Sequence, residues 1–284
     1  MIPNELPNEL QNELRKEYKM RERTYIWQCP YGKVWDLCES ILDQAHCVIA
    51  GTTGSGKSTL LHSIMYTALI DSPARKQFIL IDLKRGIELK RYKNLPHTIA
   101  FASDEHEAVK VLELAVDLMN KRYNELNRTS STMYSGADIY VVIDELADLM
   151  QTAKAKVLDP LSKLMRLGRA ARVHVIGATQ NPSRSSGGGL PAIISQNTTS
   201  SVCLRVRSAI ESRQVCGVKG GELLPHVGHG LYWNPQSRSA ANIDEVLIPK
   251  TTDNELNERI QYWLTTKPTV KRGSMKGFFK WLWS

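Results

Sequence analysis

The chain has 284 residues, 42% of them hydrophobic, which suffices to bury the core of one large α/β domain with short appendages and excludes a disordered chain. Lys and Arg outnumber Asp and Glu by 37 to 29; the net charge of +8 admits a polyanionic partner without requiring one. Five scattered cysteines without a C-x-x-C pair and seven histidines without an H-x-x-x-H pattern weigh against a disulfide framework and a zinc site, and no apolar run approaches the roughly 18 residues of a membrane span.

The N-terminal segment carries a small repeat, "PNEL", "PNEL", "QNEL", in which Leu6, Leu10 and Leu14 recur every four residues. Residues 7–20 fit either a charged helix starting at Pro7 or a frayed, solvated arm, and the polar, early-acidic start is not a signal peptide. From residue 46 short apolar strands alternate with amphipathic helices. "HCVIA" (46–50) and "QFILID" (77–82) are the first two strands. A helix over 107–126 follows, with Ser103 as its N-cap and Val109, Leu112, Val116, Met119 and Tyr123 along one face. "IYVVID" (139–144), "VHVIGAT" (173–179) and "SSVCLRV" (200–206) are further strands, "GLYWNP" and "ANIDEVLIP" read as an added edge hairpin, and "TTDNELNERIQYWLTT" as a short helix. Near-continuous apolar strands alternating with helices indicate an α/β fold: a mostly parallel sheet covered by helices on both faces.

Gly51, Thr52, Thr53, Gly54, Ser55, Gly56, Lys57 and Ser58, followed by Thr59, satisfy G-x-x-x-x-G-K-[ST] between a strand and a helix. In such a loop backbone N–H groups turn inward around phosphate oxygens. Lys57 would reach the outer phosphates of ATP, and the Ser58 hydroxyl would bind Mg²⁺. "YVVIDELADLM" (140–150) delivers Asp144 and Glu145 to the edge of the sheet where ligands bind. Asp144 would hold Mg²⁺ through water and Glu145 would polarise the attacking water; the alternative is a strand-end acid capping the next helix. Thr179 and Gln180 end the following strand, where they would sense a terminal phosphate or merely satisfy a turn. Arg166, Arg169 and Arg172 recur every three residues, either as a solvated basic face or as arginines offered to a neighbouring subunit's nucleotide.

"FILIDLKRGIELKRYKNLPH" (78–97), "VVIDELADLM", "RAARVHVIGATQNPS" and "SAIESRQVCGVKGGELL…GHGLYWNP" together resemble the FtsK/SpoIIIE family of double-stranded DNA translocases, in order and spacing, across roughly residues 30–250. The resemblance implies a RecA-like P-loop motor that assembles as a homo-hexamer and uses ATP and Mg²⁺ to pull duplex DNA through its channel. It places Lys57, Ser58, Asp144 and Glu145 among the nucleotide and metal residues, Gln180 at the sensor position, Arg169 as the arginine reaching the adjacent subunit, and Arg213 near the channel loops. The departures are Leu83 where a Pro is usual, Asn181 where an arginine commonly stands, and Ala209 where a lysine is common; Arg184, Arg205 and Arg207 lie close enough to restore the charge, and Thr179 joins Arg184, Arg207 and Arg213 as an expected DNA contact. The expected organisation is an arm (1–29), the motor domain (30–250), and a terminal helix with a basic aromatic tail (251–284), in a cytoplasmic protein with reduced thiols. The family's membrane region and winged-helix module are not expected in this chain, which points to a free-standing motor of a plasmid, phage or integrative element. Rival readings are a packaging or conjugative coupling ATPase, and a nucleotide-switch adaptor that does not translocate. The tail "KRGSMKGFFKWLWS" is expected to bind a partner protein, a membrane surface or DNA, or to pack on its own domain.

Overall fold

The computed structural model describes residues 27–28, 34–35, 37–84, 86–182, 190–225, 227–237 and 242–266. The expected helix at 7–20, Arg184 and the aromatic tail lie outside the described residues. The elements run β1 (Trp27–Gln28), β2 (Val34–Trp35), α1 (Leu37–Leu42), β3 (His46–Ala50), α2 (Lys57–Ala68), β4 (Lys76–Ile81), a 3-10 turn (Lys90–Tyr92), β5 (Thr98–Ala102) and α3 (Glu105–Thr129). After these come β6 (Asp138–Ile143), α4 (Leu146–Thr152), α5 (Lys154–Leu167), β7 (Val173–Thr179), α6 (Ala192–Asn197), β8 (Ser200–Cys203), α7 (Ala209–Cys216), β9 (His229–Trp233), β10 (Ile243–Leu247) and α8 (Asp253–Thr265). Among the described residues no helix is long and apolar enough to cross a membrane.

Strands β3 to β10 form one sheet in the order β10-β9-β8-β3-β7-β6-β4-β5. The six strands from β8 to β5 are parallel, whereas β9 and β10 extend the sheet as an antiparallel hairpin. The apolar runs explain why β3, β7, β6 and β4 occupy the middle: successive side chains point to opposite faces, so a strand buried on both must be apolar throughout. In β4, Phe78 and Leu80 join one core with α1, α2 and α8, while Ile79 and Ile81 join the other with α3, α4 and α5. Tyr140 and Val142 in β6 likewise face the first core, and Ile139, Val141 and Ile143 the second.

The structure adds an edge strand, β5, to the expected set, and extends the long helix to Glu105–Thr129. Its cap is Asp104, which accepts the Glu107 N–H at 2.8 Å; Ser103, the expected cap, instead donates its backbone N–H and hydroxyl to the Glu107 carboxylate. Helix α8 closes the first core with Leu256, Ile260 and Trp263, whose indole N–H donates to the Leu69 carbonyl at 2.8 Å. A capping box formed by Thr252 and Glu255 starts that helix.

Candidate active site

Parallel strands carry their C-terminal ends to one edge, and the loops there converge on the phosphate-binding turn. Strand β3 ends at Ala50, and the loop is then tied to three separate segments. Gly51 N–H donates to the Thr179 carbonyl at 3.1 Å, and Thr52 donates both its N–H and its hydroxyl to the Arg205 carbonyl, at 2.9 and 3.1 Å. Gly228 N–H donates to the Ser55 carbonyl at 3.3 Å. Gly56 sits at φ +103°, a backbone angle that favours glycine, and a Cβ there would meet Ile248 Cδ1 at 2.5 Å. No side chain caps the N-terminus of α2 and its first turn holds no acidic residue, so no side chain of the helix itself competes for its first N–H groups.

Lys57 and Glu145 are both buried, with the ammonium 3.8 Å from the carboxylate. Glu145 occupies the N-cap position of α4 but makes no side-chain cap bond. Its carboxylate instead accepts the Gln180 N–H, at 2.9 Å to Oε1 and 3.2 Å to Oε2, and the Gln180 side-chain oxygen accepts the Thr53 hydroxyl at 2.9 Å. Loop, acid and strand-end glutamine are thereby linked.

Two groups that the sequence reading left without a role join them. Lys84 lies 3.7 Å from Asp144 and 3.5 Å from Glu145, and the two carboxylates outweigh the burial of its ammonium and hold its pKa above the usual value. Glu88 accepts the Ser58 hydroxyl at 3.1 Å. The turn between them is shaped by Asp82, fully buried, whose carboxylate accepts the N–H groups of Lys84, Glu88 and Leu89 at 3.1, 2.9 and 2.8 Å.

The residues present fit a divalent cation. Asp144 Oδ2 is buried without a hydrogen-bond partner, and the Lys84 ammonium at 3.7 Å offers it charge but no hydrogen bond, which leaves its lone pairs open to a metal ion. Burial pushes the pKa of this carboxyl up to about 6 against the pull of Lys57 and Lys84, with Asp82 and Glu88 adding to the rise. A hydroxyl and a carboxylate are the hard oxygen donors that Mg²⁺ prefers, and Mg²⁺ commonly completes its shell with phosphate oxygens and water. Among the described residues no group of three His, Cys, Asp or Glu side chains could hold a metal unaided.

The remaining expected residues fall elsewhere. Thr179 is fully buried and its hydroxyl accepts the Asn181 N–H at 3.2 Å, so it fixes the turn and presents no surface to DNA. Arg207 and Arg213 are exposed, beside and on α7, beyond the Arg205 carbonyl that holds the phosphate loop. Arg166 and Arg169 are exposed; Arg169 lies in the turn leading into the N-terminal end of β7, at the opposite edge of the sheet from Lys57. Arg172, third in that series, is bound through two of its guanidinium nitrogens, Nε and Nη2, to Asp138.

A model of the FtsK/SpoIIIE family matches residues 31–136 and 129–184. The DNA translocase FtsK of Staphylococcus aureus (strain Mu50 / ATCC 700699) is 30% identical over 241 residues, covering 78% of this chain and 30% of that protein. The DNA translocase FtsK of Tropheryma whipplei (strain TW08/27) is 30% identical over 239 residues, covering 76% and 31%. The chain thus spans about a third of the length of the curated relatives it matches. Among solved structures, the pCW3 conjugation coupling protein TcpA with ATPγS aligns with a TM-score of 0.68 at 23% identity, covering 84% of this chain and 69% of that one. The cytoplasmic domain of the Thermomonospora curvata type VII secretion ATPase EccC aligns at 0.69 and 22%, covering 86% and 31%. Both likenesses concern the fold.

Proposed function

Because this chain belongs to the FtsK/SpoIIIE family, we propose that residues 30–250 form an ATP-hydrolysing motor that moves double-stranded DNA. The observation that carries the reading is the meeting of Lys57, Ser58, Asp144 and Glu145 at the C-terminal edge of the parallel strands, with Asp144 Oδ2 buried and lacking a hydrogen-bond partner. The phosphate loop and the first turn of α2 bind the triphosphate through backbone N–H groups, and Lys57 adds a positive charge at its outer end. Ser58 and Asp144 would hold Mg²⁺, which when bound neutralises phosphate charge. Glu145 takes the role of the base that orients and polarises water, and Gln180, already bonded to it, reports to the phosphate loop through Thr53.

Arg169 leads into the N-terminal end of β7, whereas the phosphate loop follows the C-terminal end of the parallel strand β3, which supports its serving an adjacent subunit in a homo-hexameric ring. Arg207 and Arg213, exposed beyond the loop that Arg205 supports, are the proposed contacts to the DNA backbone. The thiols of Cys38, Cys47, Cys203 and Cys216, none of which is joined in a disulfide, support a reducing, cytoplasmic setting.

The test is ATP turnover with and without duplex DNA. Duplex should stimulate turnover, independent of sequence, and rising salt should abolish the effect steeply. Turnover indifferent to duplex at low salt, at protein concentrations that permit rings, would refute the motor. Glu145→Gln should retain ATP and lose at least about a hundredfold in rate if Glu145 is the base; wild-type turnover would remove that assignment.

A further inference from the structure

We propose that Glu88 is a positioning residue that orients the Ser58 hydroxyl for metal binding, so that this acid, at the tip of the turn after β4, sets the Mg²⁺ requirement of the site. The inference rests on the ATPase reading above. A hydroxyl has one proton, and when it ligates a cation through a lone pair that proton must point elsewhere. Ser58 Oγ–H donates to Glu88 Oε1 at 3.1 Å, which leaves the oxygen lone pairs of Ser58 for the cation. A carboxylate behind a metal ligand fixes its orientation and raises its basicity.

Glu88 is itself held from two sides. Its N–H and that of Leu89 are bound by Asp82, which fixes the backbone of the turn. Its second oxygen faces His62 Nε2 at 3.4 Å, and His62 Nδ1 lies 2.7 Å from the Tyr92 hydroxyl. Burial keeps His62 below its ordinary pKa and Tyr92 above its own, so a neutral imidazole accepts from the tyrosine O–H at Nδ1 and turns Nε2–H toward Glu88. Tyr92 is fully buried, so this chain from Tyr92 through His62 to Glu88 ends in the core and fixes the carboxylate against it. Glu88 sits thirty positions from Ser58, on a turn that also carries Lys84 to the other carboxylates.

The experiment titrates Mg²⁺ against binding of a fluorescent ATP analogue, with a chelator series as the metal-free reference, and repeats the titration with Mn²⁺ by paramagnetic resonance. Glu88→Ala should bind the analogue like wild type in chelator, yet need about tenfold more Mg²⁺ for the metal-dependent tightening. Glu88→Gln keeps an acceptor oxygen and should stay within about threefold of wild type. In a Ser58→Ala background, Glu88→Ala should add no further loss, because its effect passes through that hydroxyl. A wild-type Mg²⁺ requirement in Glu88→Ala, a Gln variant as impaired as the Ala variant, or additive losses in the double variant would each overturn the proposal. A wild-type protein that binds the analogue equally with and without Mg²⁺ would take the ATPase reading down with it, which separates the two failures.

Discussion

Lowering the pH from 7 to 5 should cost folding stability about 2 kcal/mol at each of two buried histidines, offset by about 1 kcal/mol from Asp144, whose raised pKa makes the folded chain take up a proton in the same range. His46 opens β3 and is 2% exposed; its Nδ1 accepts the Val175 N–H at 3.1 Å, across the pairing of β3 with β7. Burial, reinforced by the charge of His174 and only partly offset by the Met165 carbonyl, brings its pKa down to about 3. His97 is fully buried between Phe78, stacked at 5.8 Å, and the edge of Trp263 at 4.7 Å. Its Nε2–H donates to the Asp71 carbonyl at 2.9 Å, its Nδ1 is buried without a partner, and burial pushes its pKa down to about 4. The sign follows from linkage: the unfolded chain takes up protons near pH 6.5 that the folded chain refuses. The stability is therefore complete above that value and is lost as pH falls toward the folded pKa values. At pH 5 each unfolded imidazole is favoured by roughly thirtyfold in protonation, which is the 2 kcal/mol. Urea unfolding followed by circular dichroism at pH 7, 6 and 5 measures the loss. His97→Phe should cost stability at pH 7, through the bond to Asp71, yet shrink the fall between pH 7 and 5 by about 2 kcal/mol. A His97→Phe protein with the full wild-type pH dependence would refute the account.

Three further outcomes follow from the geometry. In Gly177→Ala the new Cβ would stand 2.4 Å from Leu146 Cδ1, in the buried residue next to Glu145; the variant should lose about 1–3 kcal/mol in chemical denaturation and a larger factor in kcat than in KM. Trp263→Phe keeps the ring but removes the N–H bonded to Leu69, and should cost about 1 kcal/mol by the same assay. Arg169→Ala should bind nucleotide normally and lose turnover; mixing it with Lys57→Ala should restore part of the activity if the arginine acts between subunits, as steady-state ATP turnover would show.

What the sequence makes legible depends on how far a signal must travel. Strands β3 and β7 match their expected bounds to the residue, because a short apolar run between turn residues carries its own identity. Strand β5 was invisible: "TIAFA" is short, follows Pro96 and pairs at the sheet edge with only its last residue buried. The cap of α3 slipped by one because Ser103 and Asp104 are both good caps, and only the geometry of Glu107 decides between them. The phosphate loop and the Asp144–Glu145 pair are local motifs and could be read directly. Lys84 and Glu88 could not, since each is a charged residue in a polar turn that looks like ordinary solvated surface. Their partners lie 61 and 30 positions away, and the buried Asp82 that shapes the turn hides its role in the same way. The contrast of Arg172 with Arg169 is of the same kind: a three-residue spacing suggested one face, but Asp138 claims only the last of the series.

The loop that would grip a triphosphate leans on the carbonyl groups of Thr179 and Arg205 and on the N–H of Gly228, all of which leave the ribosome long after Gly51. During synthesis the motif is therefore present as sequence well before it exists as a shape. A chain released short of Gly228 should have every residue of the motif and no affinity for nucleotide.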